Sequence, residues 1–170
     1  MPLRERLLLF GLITGVTVAL DQLTKAAARA SLASRPPISL WGDLVRLKYT
    51  ENPGAFMGLG SGLPPQARTL IFAVFAGLLL VGVIVYLLTA PGLLRTEIVA
   101  GSLIVAGGLG NLIDRITRGG RVSDFLNLGI GPVRTGVFNL ADLVLMIGAG
   151  LWLLVVIREM RAPSEGANST

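Results

Sequence analysis

The sequence predicts an all-α membrane protein: four transmembrane helices, with a small extramembrane β-hairpin between the first and second. Three observations carry this. The 170-residue chain is 52% hydrophobic and 15% charged, with a mean hydropathy of +0.72, which leaves too little polar surface for a soluble domain of this length. Four stretches approach the roughly 20 residues that cross a hydrocarbon core: 7–24, 69–90, 97–113 and 137–157. Between the first two, Val45, Leu47 and Tyr49 alternate with Arg46 and Lys48, the period-2 pattern of a strand with one apolar and one basic face.

The first span carries Asp21 near its end, four residues before Lys25. That spacing puts acid and base on one helix face in the favourable order. It reads as an interfacial ion pair, with Lys25 stretching to the headgroups. The extramembrane β segment covers 36–60. Trp41-Gly42-Asp43 is its turn, Ile38-Ser39-Leu40 the partner strand, and Arg46 and Lys48 face lipid phosphates. Glu51-Asn52-Pro53-Gly54-Ala55-Phe56 follows. Asn-Pro-Gly is turn chemistry first; the functional reading gives Asn52 an amide able to grip a substrate backbone.

The second span has no charge between Arg68 and Arg95 and ends at the Ala90-Pro91-Gly92 turn. The third ends in Asn111-Leu112-Ile113-Asp114-Arg115, and the fourth opens with Asn139-Leu140-Ala141-Asp142. Both read Asn-Leu-x-Asp, so each Asn and Asp share a helical face, and the two faces can form one polar site. Arg115 compensates Asp114, whereas Asp142 has no adjacent base. Asp124 falls in the loop before the fourth span, between the apolar Val122 and Phe125. Residues 1–162 make one integral membrane domain, and the Pro/Ser/Gly/Asn tail at 163–170 is expected to be disordered. The net charge of +5 is spread over loops and tails, which suits membrane lipids rather than nucleic acid.

Four spans put both termini on one side. Orientation stays open: the two long loops hold most of the Lys and Arg, while Arg4 and Arg6 precede the first span, and the positive-inside rule pulls both ways.

Composition also limits the chemistry. The chain has no His and no Cys, so a Ser-His-Asp triad, a Cys nucleophile and two-His zinc motifs are impossible. Lys25 and Lys48 are the only lysines, and neither is placed to be a deprotonated base. Two aspartates sharing a proton remain, one activating water and the other donating to the scissile carbonyl. An ionisable residue inside a span, such as Asp142, is a functional candidate in its own right. Two other classes compete: a small proton- or ion-coupled transporter subunit using Asp21, Asp114 and Asp142, and a scaffold whose polar faces only lock helices together.

The ordered set Asp21-x-x-x-Lys25, Asn52-x-Gly54-Ala55, Gly110-Asn111-x-x-Asp114-Arg115, Val122-x-Asp124-Phe125 and Phe138-Asn139-x-Ala141-Asp142 resembles the bacterial lipoprotein signal peptidases (signal peptidase II). The resemblance implies a membrane aspartyl endopeptidase that removes signal peptides from prolipoproteins before a diacylglyceryl-modified Cys. It places the catalytic pair on Asp124 and Asp142. It gives Asn52, Gly54, Asn111, Arg115 and Asn139 to substrate, with Asp21, Lys25, Asp114 and Ala141 in support. It implies a monomer in the bacterial plasma membrane, termini inside, with the site facing outward under a β-cradle. It implies no metal or organic cofactor. Phe56-Met57-Gly58 and Ser123 depart from the family's usual residues.

Overall fold

The computed structural model describes residues 1–53 and 64–161. Four helices in it are long and apolar enough to cross a membrane: α1 (Leu3–Leu32), α2 (Pro65–Thr89), α3 (Arg95–Thr117) and α4 (Leu140–Arg161). Strands β1 (Ile38–Leu40) and β2 (Val45–Asn52) follow α1, while β3 (Val122–Ile130) and β4 (Val133–Arg134) lie between α3 and α4. The expected hairpin is present and is half of a four-stranded antiparallel sheet, ordered β1-β2-β3-β4. Gly54 and the 163–170 tail lie outside the described residues.

The third helix is the centre of the bundle. Ile98, Ala100, Val105 and Ala106 have no exposed surface, while most of α2 faces outward, as a lipid-contacting helix should. Small residues let the backbones approach, as membrane packing without a hydrophobic driving force requires. A Cβ on Gly148 of α4 would meet the Ala100 carbonyl of α3 at 2.7 Å, and one on Gly101 would meet Leu87 and Trp152 at 2.6 and 2.8 Å. At the end of the bundle that carries the termini, Arg6 is buried and donates to the Leu87 and Ala90 carbonyls. It therefore caps the C-terminus of α2 instead of reaching for headgroups.

Helix α1 runs well past the expected end at residue 24. Thirty residues at 1.5 Å each span about 45 Å, more than the ~30 Å hydrocarbon core. Its last turns stand beside the sheet, where Ala28 and Leu32 pack on Phe125, with Leu47 and Tyr49 around them. The hairpin turn holds Trp41, Gly42 and Asp43 all at positive φ (52°, 64° and 72°). Asp43 tolerates that region through local hydrogen bonding, and it holds Ser39 and Arg46 at 2.7 Å. The guanidinium of Arg46, helped by Ser39, keeps the Asp43 carboxyl well below its usual range. Arg46, expected to face lipid phosphates, is thus paired with Asp43 while its side chain stays 41% exposed, and Lys48 is exposed too.

Pairing of β2 with β3 contains an irregularity that matters for the site. Leu47 pairs with Leu126, but the next pair is Thr50 with Asp124. Lys48 and Tyr49 therefore oppose Phe125 alone, a β-bulge. Cross-strand partners share a face. Regular pairing from Leu47 would bring Tyr49 opposite Asp124 and Glu51 opposite Val122. The extra residue substitutes Thr50 and Asn52 at those places.

Candidate active site

The site forms where the C-terminal part of α3, the N-terminus of α4 and strands β2 and β3 converge. Asp124 lies on β3, 2% exposed, not in an irregular loop as expected. Strand β3 is tied to the start of α4 by a bridge between Leu126 and Phe138, with N–H···O distances of 2.8 Å each way. Asn139, next in the chain, is thereby carried to Asp124.

Asn139 is the N-cap of α4. Its side-chain oxygen accepts the Asp142 N–H at 2.9 Å, and its own N–H donates to Asp142 Oδ2 at 3.1 Å. This is the reciprocal arrangement of a capping box, with Asp at the third helical position. The Asn139 amide nitrogen then donates to Asp124 Oδ1 at 2.7 Å and to Asn111 Oδ1 at 3.0 Å. Asn111 donates in turn to Asp142 Oδ1 at 2.7 Å. On the other side, Asn52 donates to Asp124 Oδ2 at 3.0 Å. The two aspartates thus share one asparagine, and each has both oxygens engaged by N–H donors.

Burial pushes the Asp124 carboxyl up to about 6. The amides of Asn52 and Asn139 oppose the rise, the nearby Asp142 charge adds to it, and Lys25 opposes it.

Beneath this layer lies a buried ionic one. Lys25 and Asp21 are fully buried and 2.8 Å apart, so Lys25 does not stretch to the headgroups as expected. Its ammonium turns inward to Asn111 Oδ1 at 3.0 Å and Asp114 Oδ2 at 3.7 Å. Asp21 Oδ1 accepts the Ala141 N–H at 2.9 Å, so α1 supplies a second cap to α4. Ala141 has no exposed surface. A Cβ on the facing Gly110 would lie 3.1 Å from its methyl and 2.5 Å from Asp21 Oδ2.

Asp114 also departs from expectation. Its partners are Arg118 at 3.2 Å and the Ser123 N–H at 2.8 Å, besides Lys25. Arg115 is not among them, because adjacent helical residues point apart while i,i+4 residues meet. Arg115 is half-buried. It makes no ion pair within 4.0 Å among the described residues, its guanidinium reaching only the Asn111 carbonyl at 3.4 Å.

Two contributors were not anticipated. Gln22 donates to Asp21, to the Gly110 carbonyl and, at 3.4 Å, to Asp114. Arg118 could have been found from its four-residue spacing to Asp114; Gln22 carries no pattern that marks it. At the rim, Arg121 binds Glu51 at 2.7 Å and holds that carboxyl below its usual range.

Comparison with known proteins agrees with this geometry. The family model for Signal peptidase (SPase) II matches residues 13–158. Similar relatives include the lipoprotein signal peptidases of Rhodococcus jostii (35% identical, covering 96% of this chain and 78% of the relative) and Leifsonia xyli subsp. xyli (34%, covering 87% and 68%). That of Syntrophus aciditrophicus is 31% identical and covers 95% of this chain and 100% of the relative. Among solved structures, a bacterial membrane enzyme determined by the in meso method at 2.3 Å superposes with a TM-score of 0.78, at 26% identity over 94% of each chain. None of these similarities supports the transporter alternative. The matched region takes in every described residue from Asp21 to Asp142, and this chain belongs to the signal peptidase II family.

Proposed function

We propose that this chain is a prolipoprotein signal peptidase of a bacterial plasma membrane, with Asp124 and Asp142 as its catalytic pair. The observation that carries the reading is Asn139, whose amide reaches Asp124 while its backbone and side-chain oxygen engage Asp142. One residue thus brings two carboxylates to one place in a chain without His or Cys.

The reaction needs a water, an acid and a base. Asp142 takes a proton from water as the oxygen attacks the scissile carbonyl carbon. Asp124, buried and pushed up to about 6, carries the proton that passes to the carbonyl oxygen. The tetrahedral hydrate then collapses: the C–N bond breaks, the leaving nitrogen takes the proton from Asp142, and the hydrate hydroxyl returns its proton to Asp124. Asn111 and Asn139 hold the carboxylates in register. Arg115, with no acid partner of its own among the described residues, and Asn52, at the exposed edge of the site, contact substrate. Gly54 is assigned to substrate by family resemblance alone. Asp21, Lys25, Asp114 and Ala141 support the site from beneath.

The substrate is a prolipoprotein cleaved before a diacylglyceryl-modified Cys. A signal peptide is removed from an exported precursor, so the site faces outward and the termini are cytoplasmic. Five bases that oppose this orientation by count (Lys25, Arg46, Arg118, Arg121 and Arg134) are each held by an acid of the fold. The test is cleavage of a lipidated prolipoprotein peptide by the purified full chain in detergent. Wild type cleaves, and Asp124→Asn and Asp142→Asn do not; near-normal turnover by either variant would remove it from the catalytic pair.

A further inference from the structure

At the end of the bundle opposite the carboxylates, a groove of about 290 Å³ runs between α3 and α4. Its walls are Val99, Leu151, Leu154 and Val155, and its mouth carries Arg95 and Arg158. Sixteen residues separate Arg95 from Asn111 on α3, and sixteen separate Asp142 from Arg158 on α4. At 1.5 Å per residue the mouth is about 24 Å from the aspartates, at the headgroup level of the other leaflet of a ~30 Å core.

Both arginines are exposed, and neither makes an ion pair among the described residues. Three acids are nearby: Glu97, in the same first turn of α3, accepts the Leu94 N–H at 2.7 Å, Glu159 follows Arg158, and Glu5 lines the neighbouring groove that Arg95 also borders. None of the three comes within 4.0 Å of either guanidinium. This contrasts with Arg6 at the same end, whose guanidinium is consumed by backbone carbonyls. Two unpaired guanidinium groups above an apolar slot match a ligand with a negative phosphate at one end and a hydrocarbon chain at the other.

We propose that the groove between α3 and α4 binds one anionic phospholipid, its phosphate held by Arg95 and Arg158 and one acyl chain lying along Val99, Leu151, Leu154 and Val155. The apolar walls commit the site to an intact lipid; a free phosphate would satisfy the arginines and leave the slot unfilled. The site is independent of the peptidase chemistry, since no residue in it touches the carboxylate cluster.

The test is native mass spectrometry of the full chain released from micelles doped with equal amounts of phosphatidylglycerol and phosphatidylcholine. Two basic contacts predict that wild type retains one phosphatidylglycerol in preference to phosphatidylcholine by about tenfold or more. The double variant Arg95→Gln, Arg158→Gln is expected to bring that ratio near one, whereas Arg95→Lys with Arg158→Lys keeps most of it. Leu154→Trp, which fills the slot and keeps both arginines, is expected to lose the retained lipid. Soluble glycerophosphoglycerol in excess is expected not to compete. Equal retention of the two lipids by wild type, an unchanged preference in the double Gln or Leu154→Trp variant, or full competition by the soluble headgroup would each overturn the proposal.

Discussion

Replacing Asn52 with Leu should move the pH dependence of the peptidase upward. In the wild type, Asp124 is pushed up to about 6 by burial, and the Asn52 amide, 3.0 Å from Oδ2, holds it lower than burial alone would. A hydrogen bond to a charged group is worth about 1.5–3 kcal/mol, and the exposed rim position of Asn52 argues for the lower figure. At 1.36 kcal/mol per unit, its loss raises the carboxyl by about one unit. The measurement is kcat/KM against pH on a lipidated precursor peptide, which reports groups of the free enzyme. Wild type should show a limb centred near 6 and Asn52→Leu one near 7. Where turnover is too low, the 13C carboxyl shift of Asp124 gives the same titration. A limb that stays at 6 or moves down would refute the assignment of that hydrogen bond to the ionised form. Stability follows with a definite sign. The folded value lies above the ordinary 3.8, so the stabilisation from Asp124 is complete below about 4 and lost as pH rises through about 6.

Further outcomes test other parts of the site. Asp124→Asn combined with Asp142→Asn should cost little more turnover than either alone, because the pair acts as a unit; additive losses in single-turnover rates would argue for separate roles. Lys25→Met strands Asp21 and Asp114 without their shared cation and should cost roughly 3–5 kcal/mol, read as a fall in the thermal unfolding midpoint; an unchanged midpoint would show that the buried pair is dispensable. Gly110→Ala forces a methyl against Asp21 and Ala141 and should destabilise by about 1–3 kcal/mol, measured by the same melt, with wild-type stability counting against the tight α1–α3–α4 junction.

The spans and the first hairpin could be read from the sequence because their signals are local. Apolar runs set the helices, and the 45–49 alternation set the strand. The shared face of Asn111 and Asn139-x-x-Asp142 was also readable, since i,i+3 spacing fixes direction on a helix. What escaped was pairing over long separations. The strand from 122 to 130 mixes Ser, Asp, Asn and Gly with its apolar residues, which blurs a period-2 pattern. Yet Gly131-Pro132, with Gly131 at φ 55°, is a two-residue hairpin signal that pointed to β3 and β4. Lys25 was misplaced for a different reason. A helix-end lysine normally reaches water, and only the arrival of Asn111 and Asp114 from α3 makes inward burial favourable. The Asp114–Arg115 pairing failed on geometry that spacing alone should have decided, in favour of Arg118.

The bulge at Lys48 and Tyr49 makes the site sensitive to parity. Whether a carboxamide or a carboxylate stands beside Asp124 is decided by counting residues along β2, since Glu51 and Asn52 are neighbours on opposite faces. Gaining one residue at 48–49, with two residues still opposite Phe125, would bring Glu51 into the place of Asn52 and set a third acid against the pair. A one-residue insertion there and an Asn52→Glu substitution would therefore present Asp124 with the same neighbour, although one changes no side chain at the site. Length in this hairpin is as much a determinant of the carboxyl's environment as any residue that touches it.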